Sequence, residues 1–501
     1  MSDLSARPYR HTKIIATIGP STDSDARLRS LIDGGVDVMR LNMAHGTPQW
    51  ASEITHRIRR VSHDAGRQVG VMMDVKGPEI RTGAVDQPIR LSAGDPLYLQ
   101  TRPADKPALV SAGAADSDAS DCTARESNGS PAVTTVSVNY PGLADDINDG
   151  ATILVDSGLL RLRVTETDDH GVHCEVLTPG VLDSRRHINL PGVHVQLPAL
   201  TEKDKQDLQA GVRASIDFVA LSFVRCAADI ESLRQFLDSL DSRARIIAKI
   251  EEQAGVENMS EIVQSADAIM VARGDLGIEI DYHRLPLIQT ELVRSCQAEG
   301  KPVIIATHLL ESMIHSPMPT RAEISDICNA VREQADAVML SGETTTGDYP
   351  LESVEVMRNI IGSIEPTVSR DLNAGIQLRE PKSKMLRSAA VLAQELENSG
   401  IIVFTRSGFL AYVLAALRPR GVPIFAFTDD EVTFRQCLLP WGVEPFLMQF
   451  SDDPEQTIAD AIAVLKSTHW ADVGTCLVVI TNVLAHGKVV DSLQLRQVEA
   501  A

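Results

Sequence analysis

The chain has 501 residues, too many for one compact core, so two or three domains are expected. Hydrophobic residues at 44% and charged residues at 23% fit a globular protein, and no apolar run approaches the roughly 20 residues of a membrane span. A formal net charge of −21 argues against nucleic acid or an anionic membrane as the main partner, while leaving room for basic residues gathered in one phosphate-handling cleft. The seven cysteines stand singly with no Cys-x-x-Cys pair, and Met1–Tyr9 is short and polar. Free thiols and a cytoplasmic location are therefore expected.

From residue 12 onward, short β-rich runs alternate with longer amphipathic segments. The runs are Lys13–Ile18, Val36–Met43, Val69–Val75, Asp217–Val224, Arg245–Glu251, Ala268–Ala272, Pro302–Thr307 and Ala337–Ser341. Helical patterns such as Asp25–Asp33, Thr47–Ala65, Ala227–Leu240, Leu285–Glu299 and Arg321–Gln334 lie between them. Eight strand–helix units predict a (β/α)₈ TIM barrel occupying residues 1–82 and 198–367, with a doubly wound open sheet as the alternative. Between 83 and 197 the alternation changes: Ile89–Leu91, Pro96–Leu99, Thr134–Val138, Thr152–Val155, Leu159–Thr165 and Val172–Leu177 read as strands without a convincing helix. This predicts an inserted small β-barrel lid domain, within which Ala104–Ser130 reads as a mobile insert. Residues 368–501 return to α/β alternation, from a helix at Ser383–Leu396 to a strand at Cys476–Thr481, and predict a C-terminal α/β sandwich domain.

In such a barrel the chemistry sits where the strands end. Here those ends carry Arg40 and Asn42, Asp74 and Lys76, Ser222, Lys249 and Glu251, Arg273-Gly274-Asp275, Thr307-His308, and Ser341-Gly342-Glu343. Isolated charges at strand ends usually just face solvent, but a cation or carboxylate at nearly every end is a different matter. Glu251 and Asp275 are hard oxygen ligands suited to Mg²⁺ or Mn²⁺. Arg40, Arg81 and Lys249 would neutralise a transferring phosphoryl group. No Gly-x-x-x-x-Gly-Lys-Ser/Thr loop is present, which excludes a P-loop nucleotide site, and the glycines make no dinucleotide fingerprint.

Seven segments in register, Thr12–Pro20, Met39–Gly46, Asp74–Gly83, Lys249–Glu251, Met270–Ile280, Pro319–Glu323 and Met339–Glu343, resemble pyruvate kinase over nearly the whole chain. The resemblance implies transfer of phosphate from phosphoenolpyruvate to ADP, followed by protonation of the enolate to pyruvate. It implies that Glu251 and Asp275 hold Mg²⁺, that Lys249 and Arg40 act on the phosphoryl group, and that Thr307 ends the proton-delivery relay. The backbone N–H groups of Gly274 and Asp275, with the Thr307 hydroxyl, would take the substrate carboxylate. Asn42, His45, Arg81 and Arg186 match positions near the ADP phosphates, and Trp50 stands where an aromatic borders the adenine or else simply packs on its helix.

Several departures from the family pattern accompany the match. K⁺ would be held by Asn42, Asp74 and the Val75 carbonyl, with Ala44 where a serine hydroxyl is usual and Glu79 matching K⁺-dependent members. Arg186 replaces a lysine and His308 a glutamine; the latter predicts pH-sensitive activity near neutrality. Thr405, Arg406, Ser407 and Gly408 match the family's effector turn, but Phe409-Leu410 and the tail Gly487–Ser492 deplete the hydroxyls expected there, so a vestigial packing domain is the alternative. A homotetramer is implied by resemblance alone. A Mg²⁺-dependent aldolase or lyase on a similar barrel shares the carboxylate pair, and a metabolite sensor with a decayed site is the non-catalytic alternative. The lyase gives no reason for Lys249 together with the lid and the Arg81/Arg186 pair, and intact Arg40, Lys249, Glu251, Asp275 and Thr307 argue against decay.

Overall fold

A computed structural model describes residues 9–102, 133–368, 378, 381–485 and 488–500. The expected insert at Ala104–Ser130 lies outside the described residues. The eight barrel strands are Lys13–Ile18, Val38–Asn42, Gly70–Val75, Phe218–Leu221, Arg245–Ile250, Ala268–Ala272, Val303–Ala306 and Ala337–Leu340. Each pairs in parallel with its neighbours in sequence, and the eighth returns to the first through Lys13–Ala16 against Ala337–Leu340, closing the ring. The open-sheet alternative is thereby excluded.

Residues facing inward fill the ring as a packed core rather than a pore. Ile15, Val38, Met72, Phe218, Ile247, Met270, Ile304 and Met339 form one buried cluster. Outward-facing Ile14, Leu41, Val71, Val219, Ile246, Val271, Ile305 and Val338 join the larger core beneath the helices. Continuous burial on both faces explains why these runs read as unbroken apolar strings. The observed second strand begins two residues later than expected: Val36 N–H is spent on Leu31 at the helix end, while Asp37 bridges Ile14 and Gly70 of the flanking strands just ahead of it.

The inserted domain leaves after the third strand, and the helix Glu202–Arg213 that packs on Pro48–Asp64 comes only after its return. Its regular ladders form a six-stranded sheet and a two-stranded one. The expected small barrel is not closed by a continuous ladder. Instead Arg81 and Thr82 span the two edges of the larger sheet, with isolated bridges to His187 and Val138. Sequence reading missed the short strands Gly180–Leu182 and Ile188–Asn189 and the single helical turn Leu143–Asp146.

The C-terminal domain is a five-stranded sheet ordered Val443–Leu447, Ile424–Thr428, Ser399–Phe404, Cys476–Ala485 and Lys488–Gln497, the last strand antiparallel and unforeseen. It packs on the N-terminal end of the barrel, opposite the catalytic end. Leu439 enters the barrel's inner cluster from below. Arg418 pairs with Asp336 at 2.6 Å and Arg435 with Asp217 at 2.8 Å, both acids being buried at the starts of barrel strands. The Lys13 ammonium donates to the Val443 carbonyl at 2.6 Å. No helix among the described residues is long and apolar enough to cross a membrane, and the six described cysteines are free thiols.

Candidate active site

Asp74 organises the catalytic end. One carboxylate oxygen accepts from Arg40 Nε at 2.6 Å, and the other lies 3.2 Å from Lys249 Nζ. Burial alone would raise this carboxyl, but the two cations outweigh it and hold it below the usual range. Arg40 also donates to the Thr17 hydroxyl at 3.1 Å, which fixes the guanidinium plane across strands one, two and three.

Lys249 Nζ is ringed by Asp74, by the Ser222 hydroxyl at 2.9 Å and by Glu251 at 2.8 Å. Burial disfavours its charge, yet Asp74 and Glu251 more than offset that and keep it protonated, above its usual range. Glu251 is the strained partner. It is 2% exposed, accepts the Phe223 N–H at 2.8 Å, and burial, opposed by Lys249 and aided by the charge of Asp275, pushes it up to about 7. A buried carboxyl pushed up by burial and by a second carboxylate close by is one a divalent cation would relieve. Among the described residues no group of three or more His, Cys, Asp or Glu is arranged to hold a metal. A divalent ion here would therefore complete its shell with substrate and water oxygens.

Strands six and seven complete the mouth. Gly274 N–H donates to the Thr307 hydroxyl at 2.7 Å, and that hydroxyl donates to the Ala306 carbonyl at 2.6 Å. Two groups assigned to the substrate carboxylate thus hold each other, and substrate would have to exchange with this bond. Thr307 and His308 both adopt positive φ, 65° and 55°, a costly conformation for two successive non-glycine residues. Arg273 secures it by donating to the Thr307 carbonyl at 2.6 Å and to Asp326 at 2.7 Å. His308 is exposed and stands 3.6 Å from Glu311, on the rim rather than in the cluster.

The nucleotide and K⁺ candidates are less tightly gathered. Arg81 bonds Glu79 at 2.6 Å and the Arg185 carbonyl at 2.8 Å, while Arg186 pairs with Asp156 and Asp183 within the lid. His45 is exposed after strand two. Trp50 lies half-buried against Gly46 and the barrel core. Asn42 Oδ1 accepts the Ala44 N–H at 3.1 Å, and the Val75 carbonyl accepts from Ser222 at 2.7 Å. Asp74, assigned to K⁺, is foremost the counter-ion of Arg40 and Lys249.

Ser222, named at a strand end without a role, and Thr17, which sequence reading left out of the site, hold Lys249 and Arg40 in place. Their only signal in the chain is a hydroxyl residue at or beside a strand end.

The effector candidates lie apart, in the C-terminal domain. Thr405 Oγ1 accepts the Gly408 N–H at 2.9 Å, and Gly408 at φ 81° lets the turn open onto the helix Phe409–Ala416. A cavity of about 410 Å³ adjoins it, with Lys382, Arg406 and Thr457 among its polar lining and Phe404, Leu410 and Phe450 among its apolar lining.

Comparison with known proteins accords with this geometry. Residues 9–354 match the family described as "Pyruvate kinase, barrel domain", and residues 383–492 match "Pyruvate kinase, alpha/beta domain". The chain belongs to the pyruvate kinase family. It is 39% identical over 464 residues to pyruvate kinase isozyme G, chloroplastic, of Nicotiana tabacum, covering 91% of this chain and 78% of that protein. It is 36% identical over 482 residues to the pyruvate kinase of Sporosarcina psychrophila, covering 95% and 78%. A crystal structure of a pyruvate kinase from Cryptosporidium parvum superposes with a TM-score of 0.87 at 32% identity, covering 97% of this chain and 96% of that one. The pyruvate kinase reading of the motifs therefore stands, and with it the glycolytic reaction: phosphoenolpyruvate and ADP give pyruvate and ATP.

Proposed function

We propose that the Arg40–Asp74–Lys249–Glu251 cluster, with Asp275, Gly274 and Thr307, is where this pyruvate kinase performs its transfer. The observation that carries the assignment is Lys249: a buried ammonium kept charged by Asp74 and Glu251 at the barrel's catalytic end. In the reaction the bond between phosphorus and the enol oxygen breaks as the terminal ADP oxygen bonds to phosphorus. Lys249 and Arg40, already oriented by Asp74, stabilise the charge spread over the equatorial oxygens without reorganising at that moment. The enolate left behind takes a proton at its methylene carbon, delivered through water that ends on the Thr307 hydroxyl, a poor acid by itself. Glu251 and Asp275 would hold Mg²⁺ or Mn²⁺, which supplies Lewis-acid neutralisation of phosphate and carboxylate oxygens.

K⁺ would be held by Asn42, Asp74 and the Val75 carbonyl, with water in place of the hydroxyl absent at Ala44. Arg81, Arg186, Asn42 and His45 would meet the ADP phosphates, and the lid would close over them to exclude water. The turn Thr405–Gly408 and its cavity would bind a phosphorylated effector. Self-association, as a homotetramer, is supported by large exposed apolar side chains at Tyr282, Leu287, Met318 and Ile324, beside barrel helices bonded to each other through Gln289 and Glu333.

The test of the metal assignment is Mn²⁺ binding followed by water-proton relaxation, in wild type and Asp275→Asn, with K⁺ present or replaced by a large inert cation. The assignment expects binding abolished by Asp275→Asn and turnover stimulated by K⁺. Undiminished Mn²⁺ binding in the variant would refute the metal site, and turnover indifferent to K⁺ would retire the monovalent site.

A further inference from the structure

Outside the catalytic cluster, a buried polar contact joins the lid to the active-site helix. Asn189 ends the short lid strand Ile188–Asn189, paired with Leu154 across the sheet. Its side-chain amide donates to Glu279 Oε1 at 2.8 Å, and the Leu190 backbone N–H reaches the same carboxyl. Glu279 is the last residue of the helix Arg273–Glu279, whose first turn carries Gly274 and Asp275. Asn189 is 4% exposed and Glu279 9%, so the contact lies out of water although it bridges two domains.

Further contacts hold the lid's return segment against the barrel. Arg225, at the end of barrel strand four, donates to the Val195 and Leu197 carbonyls at 2.9 and 2.7 Å, and Asp229 holds its guanidinium. The turn that carries Asp156, the partner of Arg186, also approaches this helix: a Cβ on Gly158 would stand 3.8 Å from Ile278 Cγ2. Meanwhile Asn189 Oδ1 is buried without a hydrogen-bond partner, an arrangement buried polar groups rarely keep unless something else is served.

We propose that Glu279 is a positioning residue that, through Asn189, fixes the lid's angle to the helix bearing Gly274 and Asp275, so that Arg81 and Arg186 meet the nucleotide in register with the transfer site. The proposal rests on the nucleotide reading of the two arginines. Deleting the grip frees the lid while Gly274 N–H keeps its bond to the Thr307 hydroxyl, although Glu279 also acts on the charge of Asp275 in the same helix. The effect therefore falls on ADP.

The experiment compares wild type with Glu279→Leu, Asn189→Leu, Glu279→Gln and the exchanged pair Asn189→Asp/Glu279→Gln. For each it reads KM for ADP, KM for phosphoenolpyruvate, kcat, and amide hydrogen exchange across Ile188–Leu197 with no nucleotide present. Glu279→Leu and Asn189→Leu are each expected to raise KM for ADP about tenfold, leave that for phosphoenolpyruvate within about twofold, and speed hinge exchange. Glu279→Gln keeps an accepting oxygen and the exchanged pair restores a donor and an acceptor, so both should return KM for ADP towards wild type. Should Glu279→Leu not fold, Asn189→Leu and the exchanged pair decide the matter alone. Unchanged hinge exchange in the leucine variants, or equal rises in both KM values, would overturn the tether. Faster exchange with KM for ADP unchanged would instead overturn the nucleotide role of Arg81 and Arg186.

Discussion

Replacing Lys249 by Met removes the ammonium and keeps most of the stem volume. Lys249 is 8% exposed and faces Asp74, Ser222 and Glu251, so its charge acts in a site largely closed to solvent. A unit charge about 4 Å from a developing charge is worth roughly 4 kcal/mol at an effective dielectric near 20. At about 1.36 kcal/mol per tenfold, that is close to 10³ in rate. Cations placed on a transferring phosphoryl group contribute about 10³ to 10⁵ in kcat, which brackets the same figure. The expected result is a loss of at least about 10³ in kcat, with KM for phosphoenolpyruvate moving much less because the charge matters most in the transition state. The assay is phosphorus NMR of phosphoenolpyruvate consumption at saturating ADP and Mg²⁺. Circular dichroism is run alongside, because Glu251 and Asp74 lose a partner. A folded Lys249→Met enzyme retaining more than about a tenth of wild-type kcat would refute the reasoning, because it would mean that Arg40, the cation sharing Asp74, supplies nearly all of the stabilisation.

Two further predictions concern the junctions. Leu439→Ala empties a side chain that is 1% exposed inside the barrel's inner cluster, and should lower unfolding free energy by about 2–5 kcal/mol in urea titrations; a loss under about 1 kcal/mol would show that the C-terminal domain does not plug the barrel. Burial would raise the Glu365 carboxyl, but bonds from His11 and from the backbone N–H groups of His11 and Thr12 hold it below the usual glutamate range. A depressed carboxyl contributes stability that is fully present above its unfolded value of about 4.3 and is lost as pH falls through its lower folded value. The stability gap between wild type and Glu365→Gln should therefore shrink as pH falls below about 4.3. A gap that widens below that pH would reverse the sign and refute the assignment.

The barrel was legible because both faces of its strands are buried, which makes each strand an apolar run that stops abruptly on a charged or hydroxyl residue. That abrupt stop also marked Arg40, Asp74, Lys249, Glu251 and Asp275 as candidates, since five charges at strand ends face one mouth once the ring closes. What binds them to each other was not legible. Nothing in the local pattern says that Asp74 spends its two oxygens on Arg40 and Lys249, a contact between residues 175 positions apart in the second case. The final strand Lys488–Gln497 escaped notice because Asp491, Gln494 and Arg496 interrupt its apolar residues, and it is held by its ladder to Cys476–Ala485 rather than by its own composition. Leu439 and Asn189 gave no signal, for each is an ordinary residue made important by the domain it happens to enter. The sequence matches Trp50 to the adenine border or to packing on its helix, and the structure shows it half-buried against Gly46 and the barrel core.

The account as a whole is tested most directly by the stoichiometry of products from phosphoenolpyruvate and ADP with Mg²⁺ and K⁺. It predicts that purified enzyme forms ATP and pyruvate one for one, and that chelation of the divalent ion stops both together. Pyruvate and inorganic phosphate without ATP, or no turnover by folded protein with either Mg²⁺ or Mn²⁺, would contradict it.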